Sequence, residues 1–222
     1  MWKQKILMLV IFLVGIMGIG YVGAFQNDMP LLGKVIYLDA GHGGADPGAL
    51  YKSIKEKDIN LAISKKLEEE LSALGAIVYQ TRYGDYDLSV PYASNRKRSD
   101  LSRRGNIIND SGCDLYLSIH LNADSSLTWQ GAQVFYDDIN PENETIAKMM
   151  QALFKKKLYT QRKEKKVNDL YLSKRTDRPG VLLELGFLSN PNERYLLKTE
   201  NYQTKLSHII TEGVVTYFNQ KK

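Results

Sequence analysis

Two of the chain's three histidines stand where strands should end. His42 follows the apolar run Lys34-Val35-Ile36-Tyr37-Leu38-Asp39, in the turn Ala40-Gly41-His42-Gly43-Gly44, and His120 closes Leu115-Tyr116-Leu117-Ser118-Ile119. In open α/β sheets ligand sites are built at the carboxyl ends of the strands. Two imidazoles on one such edge, with carboxylates nearby, point to a catalytic zinc site, which needs three protein ligands and one open position. Asp46, Glu56 and Asp58 are all candidates for the third ligand, and spacing does not choose among them. Hydrolysis also needs a base that is not a ligand. Glu184 suits that task because it lies inside the apolar stretch Val181-Leu182-Leu183-Glu184-Leu185, where a carboxylate is costly unless it is paired or near a cation. A structural ion pair with Arg175 or Arg178 is the competing account of the same residue.

Other chemistries fail on pattern. Gly41-His42-Gly43-Gly44-Ala45-Asp46 breaks the dinucleotide fingerprint at Asp46, and no Gly-Lys-Ser/Thr follows for a P-loop. No Gly-x-Ser-x-Gly elbow occurs, so the pattern gives a serine hydrolase little support. The formal net charge of +5 suits an anionic surface or polymer but comes with no nucleic-acid-binding motif. Cys113 has no partner for a disulfide and reads as an inert buried thiol. His208, in the closing helix and outside any motif, reads as a helix-face histidine.

The elements that must carry these residues alternate. The pattern predicts strands at 34–39, 76–81, 115–120, 132–136, 170–172 and 181–185, and helices at 58–74, 101–109, 142–158 and 202–218. The segment from Asp85 to Arg98 reads as a loop. This is the pattern of one α/β domain with a twisted, mostly parallel sheet covered by helices on both faces. Residues 34–222 form that domain, and residues 26–33 are a linker. Ile6 to Phe25 is an unbroken run of apolar or small residues behind Lys3 and Lys5. Its length suffices to cross a bilayer and its flanks predict export, so residues 1–25 are a signal peptide or a membrane anchor, with Val22-Gly23-Ala24 as a small-residue cleavage site.

Four blocks in this order resemble the zinc-dependent N-acetylmuramoyl-L-alanine amidases of the amidase-3 family. They are Leu38-Asp39-Ala40-Gly41-His42-Gly43-Gly44-Ala45-Asp46-Pro47-Gly48-Ala49, then Glu56-Lys57-Asp58-Ile59-Asn60-Leu61, then Ser118-Ile119-His120-Leu121-Asn122-Ala123, and last Pro179-Gly180-Val181-Leu182-Leu183-Glu184-Leu185-Gly186-Phe187-Leu188-Ser189-Asn190. Arg104 to Asn109 is a weaker match. The resemblance implies one zinc ion held by His42, Glu56 and His120, with Glu184 as the catalytic acid/base. It makes Asp39 and Asp46 residues that orient the ligands, and Arg104 and Asn122 substrate contacts or loop braces. The implied reaction is hydrolysis of the amide between N-acetylmuramic acid and L-alanine in peptidoglycan. A lone catalytic domain without wall-binding repeats is most similar to the compact sporulation-type amidases, which remove stem peptides for muramic-δ-lactam formation in spore cortex. The expected partners are peptidoglycan, the membrane if the leader stays uncleaved, and an accessory or activator protein; nucleic acid is not among them. A zinc peptidase of the stem peptide and a non-catalytic wall-binding scaffold are the alternatives.

Overall fold

The computed structural model describes residues 29–168 and 171–221. The leader at residues 1–25 and Leu170 lie outside the described residues, and among those described no helix is long and apolar enough to cross a membrane. The described residues include eight strands: β1 (Val35–Ala40), β2 (Leu50–Tyr51), β3 (Ile54–Lys55), β4 (Ile77–Gln80), β5 (Leu115–Asn122), β6 (Gln133–Tyr136), β7 (Lys165–Lys166) and β8 (Gly180–Phe187). Five α-helices accompany them: α1 (Glu56–Ala73), α2 (Arg96–Asp110), α3 (Asn143–Leu158), α4 (Pro191–Leu197) and α5 (Glu200–Gln220).

The central sheet has the order β4-β1-β5-β8-β6-β7, and β2 and β3 form a separate hairpin. The pairs β4–β1, β1–β5 and β5–β8 are parallel, whereas β6 runs antiparallel to β8. The expected single α/β domain with a mostly parallel sheet is therefore the observed architecture.

Strand alternation sorts the side chains onto two unequal faces. Leu115, Leu117 and Ile119 of β5, Val181, Leu183 and Leu185 of β8, and Ile36 and Leu38 of β1 point into the main core. Ile63, Leu67 and Leu71 of α1, Phe154 of α3 and Ile210 and Val214 of α5 close that core from above. The opposite face is thinner, and there α2 covers a small cluster of Tyr37, Ile108, Cys113, Tyr116 and Leu172. Ser118, His120 and Glu184 alternate with core residues, so they belong to this thin face, where a cavity remains. The sheet thus separates the stability of the domain from its polar residues.

Besides the short strands β2, β3 and β7, which were not expected, three elements depart from expectation. The helix α2 begins at Arg96, inside the segment expected to be a loop, because the side chain of Asn95 accepts from the Arg98 amide and caps it. Tyr171 and Leu172 lie in a turn that leads into the short 3-10 helix Ser173–Arg175, so the strand expected at 170–172 is absent from its described part. Alternation over three residues was too short to be a periodic signal. The helix α4 went unrecognised, although Asn190 caps it and Pro191 opens it.

Candidate metal and catalytic site

The loop after β1 is shaped from beneath by two buried guanidinium groups. Arg82 donates through Nε to Ala40 O (2.8 Å) and through a terminal nitrogen to Gly41 O (3.0 Å) and Lys57 O (2.7 Å). Arg104 reaches Ala40 O (2.8 Å) and His42 O (2.7 Å) and forms ion pairs with Asp39 and Asp100, each at 2.8 Å. Asp39 also accepts from Thr81 and Ser118, at 2.7 Å each. Burial works against ionisation of Asp39, but Arg104 and these hydroxyl donors outweigh it and hold its pKa down to about 2. The constrained loop carries His42 at a φ of 63°, a conformation that a non-glycine residue keeps only where its surroundings impose it.

Above this support three side chains converge. His42, Glu56 and His120 each offer a donor atom, and these atoms lie within 4.8 Å of one another. Glu56 opens α1, whose first turn reaches back over the strand ends. Its Oε2 lies 3.2 Å from His42 Nε2 and its Oε1 3.1 Å from His120 Nδ1. The same oxygens accept from the amides of Ala49 (2.7 Å) and Leu121 (2.9 Å) and from Asn60 Nδ2 (3.1 Å), which fixes the carboxylate plane. Asp46 Oδ2 sits 2.8 Å from His42 Nδ1, which leaves Nε2 facing Glu56. Carboxylates that bond the far nitrogen of a ligating histidine set its tautomer and ring direction.

The electrostatics ask for positive charge. Burial opposes a proton on His42, yet Glu56 and Asp46 overcome it and raise the imidazole to about 9. Against its own burial, Glu56 is held far below the usual carboxylate range by the two histidines. A divalent cation among the three would satisfy the carboxylate in place of those protons. Two nitrogens, one carboxylate and a cavity of about 270 Å³ alongside match the donor set of a catalytic zinc site with an open position. The packing also fits: a Cβ on Gly41 would fall onto the His120 ring, so only glycine leaves that imidazole its place.

Glu184 stands next to this cluster, paired in register with His120 across β5 and β8. Its Oε2 is buried and has no hydrogen-bond partner. Burial, with a smaller push from Glu56, raises its pKa to about 7. The structural ion pair does not form, since Arg175 stacks on Tyr171 and Arg178 lies beside Asp177. A carboxyl group poised near neutrality beside such a cluster is able to take up and release protons.

The other candidates separate clearly. Asp58 is exposed on α1, outside the cluster. Arg104 is 1% exposed and spends its donors on the loop and the two aspartates, which makes it a brace. Asn122 closes β5 beyond a register shift, and its carbonyl accepts from Leu188 N at 2.7 Å. His208 is exposed and meets Glu70 at 3.2 Å. Sequence reasoning missed Arg82, Lys57 and Asn60. Lys57 is buried and ties Gly44 O and Asp85 at 2.8 Å and 2.7 Å. Asn60 had a signal, since it lies one helical turn after Glu56; Arg82 had none.

Two outcomes follow from this geometry. Gly41→Ala has no backbone penalty to confound it, and by displacing His120 it should lower metal affinity about 10–100-fold. Metal titration of the folded variant checks this, and an unchanged affinity would mean the ring has room to move. In chelator-treated protein, the raised pKa of Glu184 means that the folded state binds its proton more tightly than the unfolded state. That contribution is complete below about pH 4.5 and disappears as the pH rises to about 7. Glu184→Gln should therefore be about 3 kcal/mol more stable than the parent at pH 8 and similar to it at pH 4. Denaturant melts across that range should show the widening gap; a constant gap would place the carboxylate in water.

Residues 36–216 match the family model described as N-acetylmuramoyl-L-alanine amidase. The chain is 44% identical over 197 residues to the germination-specific N-acetylmuramoyl-L-alanine amidase of Bacillus subtilis, covering 87% of this chain and 83% of that one. It is 34% identical over 194 residues to the probable cell wall amidase LytH of Staphylococcus aureus, covering 86% of this chain and 60% of that one. Among solved structures, it resembles the CwlD amidase of Clostridioides difficile in complex with the GerS lipoprotein, with a TM-score of 0.80 and 38% identity over 85% of this chain and 100% of that one. With the fold, the clustered donors and these likenesses in agreement, the chain belongs to the N-acetylmuramoyl-L-alanine amidase family and is an enzyme of that class.

Proposed function

We propose that this enzyme is zinc-dependent, with one ion per chain held by His42, Glu56 and His120, and that it hydrolyses the amide between the lactyl group of N-acetylmuramic acid and L-alanine of the stem peptide. The observation that carries the assignment of roles is the unpartnered Glu184 Oε2 beside the three clustered donors. When bound, the ion supplies Lewis-acid chemistry at the scissile carbonyl. Glu184 takes a proton from the attacking water and returns it to the departing nitrogen of L-alanine. Its burial keeps the proton affinity close to neutral, so both halves of that transfer are accessible at cellular pH. Asp46 keeps the His42 ring turned so that Nε2 faces inward, while Arg104 and Arg82 hold the loop that carries it. His120 and Glu184 are neighbours in strand register, so base and ligand keep a fixed spacing through catalysis.

The relative with a germination-specific role supports action on spore cortex, where removal of stem peptides precedes muramic-δ-lactam formation. A structural neighbour solved with a lipoprotein supports an accessory partner for this chain too. We assign residues 1–25 as an export signal or anchor, residues 26–33 as a linker and residues 34–222 as the catalytic domain, which places the reaction outside the cytoplasm. The role of Asn122 is to brace the strand end beyond His120, where its carbonyl accepts from Leu188 N.

Glu184→Gln keeps the shape of the side chain and leaves the three ligands untouched, so zinc content should match the parent while the rate falls about 10²–10⁴-fold. His120→Ala should lose metal and activity together. Mass analysis of digested peptidoglycan, from vegetative wall and cortex, should show free L-alanine termini; cuts within the peptide would make the enzyme a peptidase, and bound wall without products a scaffold. Near-normal turnover by zinc-loaded Glu184→Gln would remove that residue from the mechanism. For the leader, external protease on intact protoplasts should degrade an anchored catalytic domain, and complete protection would defeat the export assignment.

A further inference from the structure

A second, larger cavity, which the hydrolytic chemistry does not use, is reached from Glu184 through Gln133 and Arg162. Gln133 of β6 lies opposite Glu184 in antiparallel register, and directly opposed residues share a face of the sheet. The Gln133 side-chain oxygen accepts from Arg162 at 3.0 Å, and the Arg162 guanidinium packs over the Trp129 ring at 5.1 Å and the Phe187 ring at 4.4 Å. Beyond Arg162 opens a cavity of about 460 Å³, within the range of small-ligand sites. Trp129 and Tyr159 are both on its wall, 53% and 79% exposed.

Exposed aromatics in a loop are usually free to move, but the backbone that carries Trp129 is held. Asn190 Nδ2 donates to the carbonyls of Leu127 (3.1 Å) and Trp129 (3.2 Å). Arg162 Nε donates to Gln130 O at 2.8 Å, and the Gly131 amide donates to Glu193 at 2.9 Å. Backbone groups of four neighbouring residues are thereby pinned to α4 with its capping residue and to the segment after α3. The ring of Trp129 has Arg162 on one face and its remaining surface in solvent. Preorganising an aromatic platform lowers the ordering cost when something binds to it.

We propose that this cavity is the subsite for the glycan strand of the substrate, an inference that rests on the amidase reading and deepens it. The two limbs that meet at the scissile amide differ in chemistry. The glycan limb is a chain of neutral sugars, whose rings offer C–H faces to aromatic side chains and whose hydroxyls and acetamido groups need amide and hydroxyl partners. Thr128, Gln130, Thr160 and Gln161 supply those partners around Trp129 and Tyr159, and the lining balances one cation, Arg162, with one anion, Glu193. The peptide limb carries carboxylates. Its match is the other wall of the catalytic cavity, where Lys97 lines the space and Arg98 and Arg175 converge on Tyr171 at 3.3 Å and 2.8 Å. A substrate with its glycan across β8 and β6, and its peptide toward α2, puts each limb against its own chemistry and the amide between them at Glu184.

Trp129 is one of only two tryptophans, the other being Trp2, so intrinsic fluorescence reports on this wall directly. The probe is a neutral, peptide-free glycan, the tetrasaccharide of N-acetylglucosamine, titrated into full-length zinc-loaded Glu184→Gln protein. The tetrasaccharide should alter Trp129 emission, and adding Trp129→Ala or Tyr159→Ala should weaken calorimetric binding about three- to tenfold, with Trp129→Phe restoring most of it. In the active background, Trp129→Ala should raise KM for glycan-strand substrate by a similar factor while kcat stays within about twofold, the signature of lost binding that ground and transition states share. Glycan affinity and KM unchanged in folded Trp129→Ala and Tyr159→Ala would overturn the subsite, even with full amidase activity in the parent. Weakened glycan binding in a parent that releases no L-alanine termini would instead keep the subsite and defeat the amidase reading alone.

Discussion

Two buried arginines with different electrostatic settings bear the site. Arg104 has carboxylates on both sides, Asp39 and Asp100, whereas Arg82 is surrounded mainly by backbone carbonyls, and burial and the nearby Arg104 lower its pKa. Both point their donors at the same short loop, Ala40 to His42, from which His42 projects. Breaking a buried pair by removing one partner typically costs about 3–5 kcal/mol, because the remaining charge stays uncompensated. The loop is therefore held by groups that cannot relax individually. That rigidity keeps His42 in a left-handed conformation and its Nε2 directed at Glu56.

The sheet does the remaining positioning by alternation. Each strand that lends a functional side chain gives its intervening residues to the main core, as Leu117 and Ile119 flank Ser118 and Leu183 and Leu185 flank Glu184. A slip of one residue would reverse both roles at once, so packing and chemistry impose the same register. The donors from three separate elements then meet at one strand edge, and the parallel pairing of β5 with β8 sets His120 beside Glu184. The antiparallel β6 extends the same face toward Trp129, which gives the site a second direction that a wholly parallel sheet would bury under a crossover helix.

Charge and burial divide the work within the cluster. Glu56 lies between two imidazoles and remains ionised despite its burial, whereas Glu184 has no cation in contact and is pushed toward neutrality. Two carboxylates of similar intrinsic acidity are thus driven apart by their surroundings.

The composition and order of the chain carried a great deal. Apolar periodicity identified most of the strands and helices, and His42, His120 and Glu184 stood out because polar, reactive residues interrupt or end apolar strands. The choice of Glu56 over Asp46 and Asp58 came from resemblance, since all three occupy the same short stretch and spacing alone does not say which carboxylate turns inward. Tertiary structure shows which one turns inward: Asp46 bonds the far nitrogen of His42, Asp58 faces solvent and Glu56 lies between both histidines. It also revealed Arg82 and the Trp129 platform, whose contacts join segments about 40 or more residues apart in several cases and leave no local pattern. Sequence records what each element needs in order to form, through spacing that repeats within a few turns. Which buried charge meets which carbonyl depends on how the elements pack, and only the folded chain contains that information.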